Sequence, residues 1–276
     1  MSGVLEIASQ EFTLNRRNRW VISFAVLFTG LTLVIAYFGM VTSGYAGFQD
    51  FTRTSASIIN LGGFLIPLFA LLLGVFSMIT NHEYLELLVT QPISRVRVLL
   101  GRYLGLVLTV LSATLVGFCL PGAIIALNIG VQGVLAYLLV VFYAVLLALV
   151  FTGLSLLIAL LSRRRPIALG IALGVWVFYE LIYGLMMLGT TLYFPAKVLK
   201  TSLLIGLMGN PIDLTRVLSL LQVGGPHLFG PAGATLVKLT GSAAAASAIG
   251  LAGLLVWVVW PVLASVRIFS KQDLHG

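Results

Sequence analysis

The chain has 276 residues, of which 60% are hydrophobic and only 9% charged, and its mean hydropathy is +1.12. A soluble domain carries about 45–50% apolar and about 25% charged residues, so the composition excludes a soluble enzyme, a nucleic-acid binder and a disordered adaptor. Sixteen Lys and Arg against eight Asp and Glu leave a net charge of +8, and the single cysteine, Cys119, excludes an internal disulfide or a multi-thiolate metal site.

In chain order, the first nineteen residues place Leu5, Ala8 and Phe12 on one helical face, with Val4 and Ile7 beside it. Glu6, Gln10 and Arg17 lie elsewhere, which predicts an amphipathic helix in the membrane interface, in contact with lipid. A topology anchor and a mechanical element are both consistent with that helix. Six apolar runs of about membrane-spanning length follow, at residues 20–41, 58–80, 103–127, 134–161, 167–192 and 242–266. The first is too long for a signal-peptide core of about 7–15 residues, and continuous rather than alternating apolarity predicts helices, not barrel strands. The expected fold is an all-α integral membrane protein: a single domain over residues 1–276 with six transmembrane helices.

An even number of spans puts both termini on one side. Eleven basic residues fall there: Arg16, Arg17, Arg19, Arg95, Arg97, Arg102, Arg163, Arg164, Arg165, Arg267 and Lys271. The five on the other side are Arg53, Lys197, Lys200, Arg216 and Lys238. The excess marks the first side as cytoplasmic. Topology and anionic head groups thereby account for the +8. Residues 43–57 are expected to form a modest external loop and residues 128–133 a tight external turn.

The cytoplasmic segment 81–102 contains a leucine-rich stretch with Glu83 and Glu86. Pro92 cannot donate a helical N–H and disfavours helix at Gln91; Ser94 can then cap a new helix carrying Arg95 and Arg97 into the third span. Such a helix–break–helix suits docking in the groove of a soluble partner; a plain polar loop fits composition equally well. Gly62, Gly63 and Pro67 interrupt the second span and Pro121 and Gly122 the third, while Gly170 and Gly174 give the fifth a small-x-x-x-small spacing.

Glu180, in the fifth span, is the one acidic residue inside a span, where a charge costs about 2.5–3.5 kcal/mol. It belongs on a substrate path or dimer seam, or is satisfied by one neighbouring hydroxyl; no residue at comparable depth is expected to pair with it. The external segment 193–241 is too long for a turn and too polar for a span. In NPIDLTRVLSLL, Asn210 can cap, Pro211 suits the first helical position and Asp213 the helix N-terminus. Leu214, Val217, Leu218 and Leu221 form a stripe, which predicts an amphipathic helix on the outer surface, ended by Gly224-Gly225-Pro226. It can serve as a docking platform or as a lid. Cys119, the methionines and the three scattered histidines have no metal-ligand spacing, and no phosphate-binding loop of the G-x-x-x-x-G-K-[ST] form is present. The chain is therefore expected to be non-catalytic, without a bound metal or cofactor.

Residues 85–105, LELLVTQPISRVRVLLGRYLG, resemble the cytoplasmic loop of type-2 ABC exporter permeases. In those proteins a LELLL-T-x-P-x-S/G-R…LLGK stretch follows the second span. The matching positions are Leu85, Leu87, Leu88, Thr90, Pro92, Ser94, Arg95, Leu99, Leu100 and Gly101, with Arg102 in place of the usual Lys. Just upstream the chain departs from the family, reading Asn81, His82, Glu83, Tyr84 where an acidic residue and a Gly-Thr pair are usual. The resemblance implies a separate ABC ATPase that holds ATP and Mg²⁺ and docks on Glu83, Glu86, Thr90, Gln91, Pro92, Ser94 and Arg95. It also implies a second copy of the chain in a homodimer. Two further stretches, ALGIALGVW at 168–176 and NPIDLTRVL at 210–218, are similar to the branch of that family serving maturation of the copper–sulfur enzyme nitrous oxide reductase. That likeness implies inner-membrane localisation, work on a sulfur species or force transmission, and a periplasmic β-helical protein docking on Asn210, Asp213 and Arg216. The alternatives are an exporter of lipid, peptide, drug or polysaccharide, and a scaffold or intramembrane enzyme. The last lacks any clustered catalytic set in the spans.

Overall fold

The computed structural model describes residues 2–40, 48–80, 94–129, 131–162, 164–193, 195–224 and 230–271. Six helical stretches are long and apolar enough to cross a membrane. They are α2 (Arg19–Met40), α3 (Phe48–Thr80), α4 (Arg95–Ile129), α5 (Val131–Leu161), a fifth span and α11 (Ala243–Lys271). The fifth span comprises α6 (Arg165–Val177), a π-helical turn (Phe178–Ile182) and α7 (Tyr183–Tyr193). Before them lies α1 (Ser2–Arg16); between the fifth and sixth spans lie α8 (Ala196–Gly209), α9 (Pro211–Val223) and α10 (Gly230–Thr240). The fold is the expected all-α multi-pass membrane protein.

Helices α3 and α5 form the centre, with α2, α4, α6, α9 and α11 packed around them. The core is built of Phe28, Phe51, Ile58, Ile66, Leu71, Leu147, Phe151 and their neighbours. Its helix ends follow local chemistry. Asn18 caps α2, its side-chain oxygen accepting the Trp20 N–H at 3.0 Å, and Ser94 starts α4, its carbonyl accepting from Arg97 N at 2.9 Å. Helix α4 ends at Ile129 and α5 begins at Val131; Gly130, within the turn expected at 128–133, lies outside the described residues.

Four expectations change. Of the loop expected at 43–57, residues 43–47 lie outside the described residues, and the rest is the N-terminal end of α3. Phe51, Thr54, Ser55 and Ile58 are buried at helical spacing, which lets a polar-looking stretch continue the helix. Pro67 and Pro121 sit inside continuous helices; here the neighbouring glycines serve close packing, Gly122 lying against the Tyr137 ring. The buried stripe of α1 is Ile7, Ala8, Glu11 and Asn15, while Leu5 is 65% exposed. The stripe is rotated from the apolar face because Glu11 has an ionic partner inside the bundle. Finally, α9 is not a surface helix: Ile212, Leu214, Thr215, Val217, Leu218 and Ser219 are buried.

Candidate functional site

Helices α8 and α9 meet at a bend of 101°, and the contacts of the two limbs make them a re-entrant hairpin rather than a broken span. Its depth follows from its partners. On the descending limb, the Tyr183 hydroxyl donates to Gly206 O at 2.8 Å, so α8 lies antiparallel against α7. On the other limb, Gln222 Nε2 donates to Ser247 Oγ at 3.1 Å near the start of α11. Lower down, Leu218 lies against Gly250 and Leu214 against Gly253. At the tip, Trp257 Nε1 donates to Met208 O at 2.9 Å. From Ser247 to Trp257 is about 15 Å at 1.5 Å per residue, half the hydrocarbon thickness of about 30 Å. The tip lies near the bilayer middle.

Backbone that leaves the helix at this depth must be satisfied by protein, and Asn210 does this. It is extended (φ −121°, ψ 107°) and fully buried. Its side-chain oxygen accepts the Ile212 N–H at 3.0 Å, capping α9. Its amide nitrogen donates to Tyr179 O at 2.9 Å and to Asp213 Oδ2 at 2.8 Å. Pro211 fills the first helical position, where no N–H is needed, and Asp213 sits in the first turn, where the helix dipole favours a negative charge.

One turn further, Arg216 Nη1 donates to Asp213 Oδ1 at 3.3 Å, and Arg216 Nη2 donates to Glu180 Oε1. Glu180 therefore has a charged partner at its own depth, contrary to expectation. A positive residue counted as external is folded back into the bundle. The Glu180 side chain is only 7% exposed, against 23% for Arg216 and 31% for Asp213. Gly63 of α3 supplies the space: a Cβ there would stand 3.2 Å from Arg216 Nε. Glu180 also occupies the π-helical turn, in which the Tyr183 N–H bonds back to Phe178 O, five residues earlier. Single π turns recur at functional sites because the extra residue re-aims side chains. Arg216 Nε and Glu180 Oε2 are buried without hydrogen-bond partners, so the cluster is ion-paired but not fully satisfied.

Asn210, Asp213 and Arg216, expected to meet a periplasmic partner, bond within the chain to the fifth span and to one another. Their side chains turn toward the fifth span rather than outward, because only there do Tyr179 O and Glu180 meet them. The spacing of Asn210, Asp213 and Arg216, three residues apart and on one helical face, carries the signal that hydropathy averaging hides. Of the residues expected to dock the ATPase, Glu83, Glu86, Thr90, Gln91 and Pro92 lie outside the described residues; Ser94 and Arg95 stand at the root of α4. Sequence reasoning missed Glu11. It is fully buried and ion-paired with Arg102, whose Nε lies 3.3 Å from Glu11 Oε2.

The family model described as "ABC-2 family transporter protein" matches residues 5–274. The chain belongs to the ABC-2 family. Two curated relatives carry the name "Probable ABC transporter permease protein NosY". The chain is 34% identical over 226 residues to that of Stutzerimonas stutzeri and 36% identical over 228 residues to that of Pseudomonas aeruginosa. Each alignment covers 80% of this chain and 82% of the relative. This ABC-2 permease carries at its re-entrant hairpin a buried carboxylate held by a guanidinium from a different helical element. Such a pair can hold a closed conformation and part in an open one, since breaking a buried pair costs several kcal/mol unless new partners or water replace the lost ones.

Proposed function

We propose that this permease subunit converts ATP hydrolysis by a separate ABC ATPase into movement of the hairpin formed by α8 and α9 against the fifth span. The observation that carries the reading is the Glu180–Arg216 pair. It joins two elements at the bilayer middle, where an ion pair has little purpose in an inert bundle. ATP and Mg²⁺ belong to the ATPase, which docks on Glu83, Glu86, Thr90, Gln91, Pro92, Ser94 and Arg95 at the cytoplasmic face, with both termini on that side of the inner membrane. A second copy covers the fifth span. That span exposes Ile171, Phe178, Leu185 and Met186, and a Cβ added at Gly170 or Gly174 would meet nothing within 4 Å, a surface suited to close helix packing.

The likeness to NosY permeases supports a role in assembling the copper–sulfur sites of nitrous oxide reductase, through delivery of a sulfur species or of force. A periplasmic β-helical partner would dock on the external segment 193–241, which carries Asn210, Asp213 and Arg216. Two experiments test the reading. Changing Glu86, Pro92 and Arg95 together should abolish co-purification with the ATPase; unchanged co-purification refutes the docking site. Deleting the gene should yield nitrous oxide reductase lacking its copper–sulfur absorption bands, and a fully loaded enzyme refutes the assembly role.

A further inference from the structure

The cytoplasmic end of the bundle holds a second buried ionic group, remote from the hairpin. Glu11 of α1 and Arg102 of α4 are both fully buried. The Glu11 carboxylate is saturated with donors. Its Oε1 accepts from Ser77 Oγ at 2.6 Å and Asn15 Nδ2 at 3.0 Å, and its Oε2 from Arg102 Nε at 3.3 Å. Arg102 Nη2 in turn donates to Ser77 O at 3.0 Å, while its Nη1 has no partner. Ser77 lies in the last turn of α3 and Arg102 in the second turn of α4. These two helix ends are the roots of the intervening cytoplasmic segment.

One carboxylate on α1 therefore ties both roots together. The approach is close enough to require glycine. A Cβ at Gly101 would fall 3.0 Å from Val4 O, and one at Gly105 would fall 2.7 Å from Ala8 O. Gly101 and Gly105 form a G-x-x-x-G face on which the α1 backbone lies directly. Leu5 and Leu14 stay exposed, where lipid can cover them, while α1 turns Glu11 and Asn15 inward, so its buried face is a polar protein contact and not the membrane anchor.

We infer that Glu11 and Arg102 are positioning residues for energy coupling: with Ser77 they lock α1 and both roots of the cytoplasmic segment into one rigid body. Motion imposed on that segment then reaches α3, and through Gly63 the hairpin, without being lost in a hinge at the membrane surface. The inference rests on the proposed coupling to an ATPase. It adds that the interfacial helix is a structural member of the lever.

The test uses the permease co-purified with its ATPase in nanodiscs, in a Cys119→Ala background. Spin labels at Leu135, on the outer end of α5, and Leu239, on α10, report the outer-face response to trapped ATP by pulsed EPR. Co-purification and thermal stability are measured in parallel. Glu11→Gln should leave the ATPase bound and reduce the fraction of molecules showing the ATP-dependent distance change about tenfold, a shift ordinary for a coupling residue. Arg102→Lys should retain most of the response, because the charge and the bond to Glu11 survive. The double change Glu11→Leu with Arg102→Met separates coupling from mere stability, since apolar replacement of both partners restores folding. The expected result is normal stability with the response still lost. A normal response in either Glu11→Gln or the double variant overturns the inference. Failure of the unaltered chain to bind an ATPase or to respond to ATP would instead overturn the function on which the inference rests.

Discussion

Replacing Arg216 with methionine keeps the aliphatic stem and removes the guanidinium, which strands the Glu180 carboxylate at 7% exposure. Breaking a buried pair from one side costs about 3–5 kcal/mol. Arg216 is itself 23% exposed and Asp213 31%, so the Asp213 contact is screened and adds little, about 0–1 kcal/mol. The expected loss is therefore near the lower end, about 3 kcal/mol. Glu180→Gln behaves differently. Its amide oxygen still accepts from Arg216, and Asp213 still balances the guanidinium, so about 1 kcal/mol is expected. With both replacements no uncompensated charge remains at Glu180, and the double variant should lose about 1–2 kcal/mol, well below the sum of the singles. Equilibrium unfolding in mixed detergent micelles containing increasing SDS, followed by tryptophan fluorescence, measures all three. The reasoning is refuted if Arg216→Met is no worse than Glu180→Gln, or if the double variant equals the sum.

Other consequences follow from the same geometry. Asn210→Ala removes the cap and the bonds to Tyr179 O and Asp213 at once and should cost about 2 kcal/mol in the same unfolding assay; Asn210→Asp keeps the capping oxygen but sets a second oxygen against Asp213 Oδ2 and Tyr179 O, where the amide donated, and should recover none of that. Gly63→Leu should push Arg216 off Glu180 and approach the destabilisation of Arg216→Met, while Gly63→Ala, whose Cβ meets Arg216 Nε at 3.2 Å, needs only a small side-chain shift and should be mild. A membrane-impermeant maleimide added outside intact cells should label a cysteine at Leu239 but not one at Leu14, and the reverse pattern would invert the orientation.

The six spans were legible because about 20 consecutive apolar residues leave few alternatives, and the Asn210-Pro211-Asp213 start of α9 was legible from capping chemistry alone. The re-entry was not. Arg216 and Asp213 lower the apparent hydropathy of a segment whose charges cancel each other and Glu180, and that cancellation joins residues 36 positions apart. The same holds for α1. Its apolar face, as read from spacing, was overruled by one bond from Glu11 to a residue 91 positions away. Periodicity reports which face is greasy; it is blind to a polar side chain whose partner lies on another helix. The spans of the family resemblance located the machine, but not its internal contacts.

The hairpin's walls also constrain how the chain is made. Tyr179 and Glu180 emerge from the ribosome before the hairpin, but Gly250, Gly253 and Trp257, which enclose Leu218, Leu214 and Met208, come after it. The hairpin therefore has no finished seat while it is being synthesised. Its contacts with α3 and α5 are available when it emerges, and the side facing α11 is closed when the last span is inserted. A chain ending at Gly241 should consequently leave a cysteine at Leu214, fully buried in the complete protein, open to labelling. The last span to enter the membrane thus completes the site that the first five only begin.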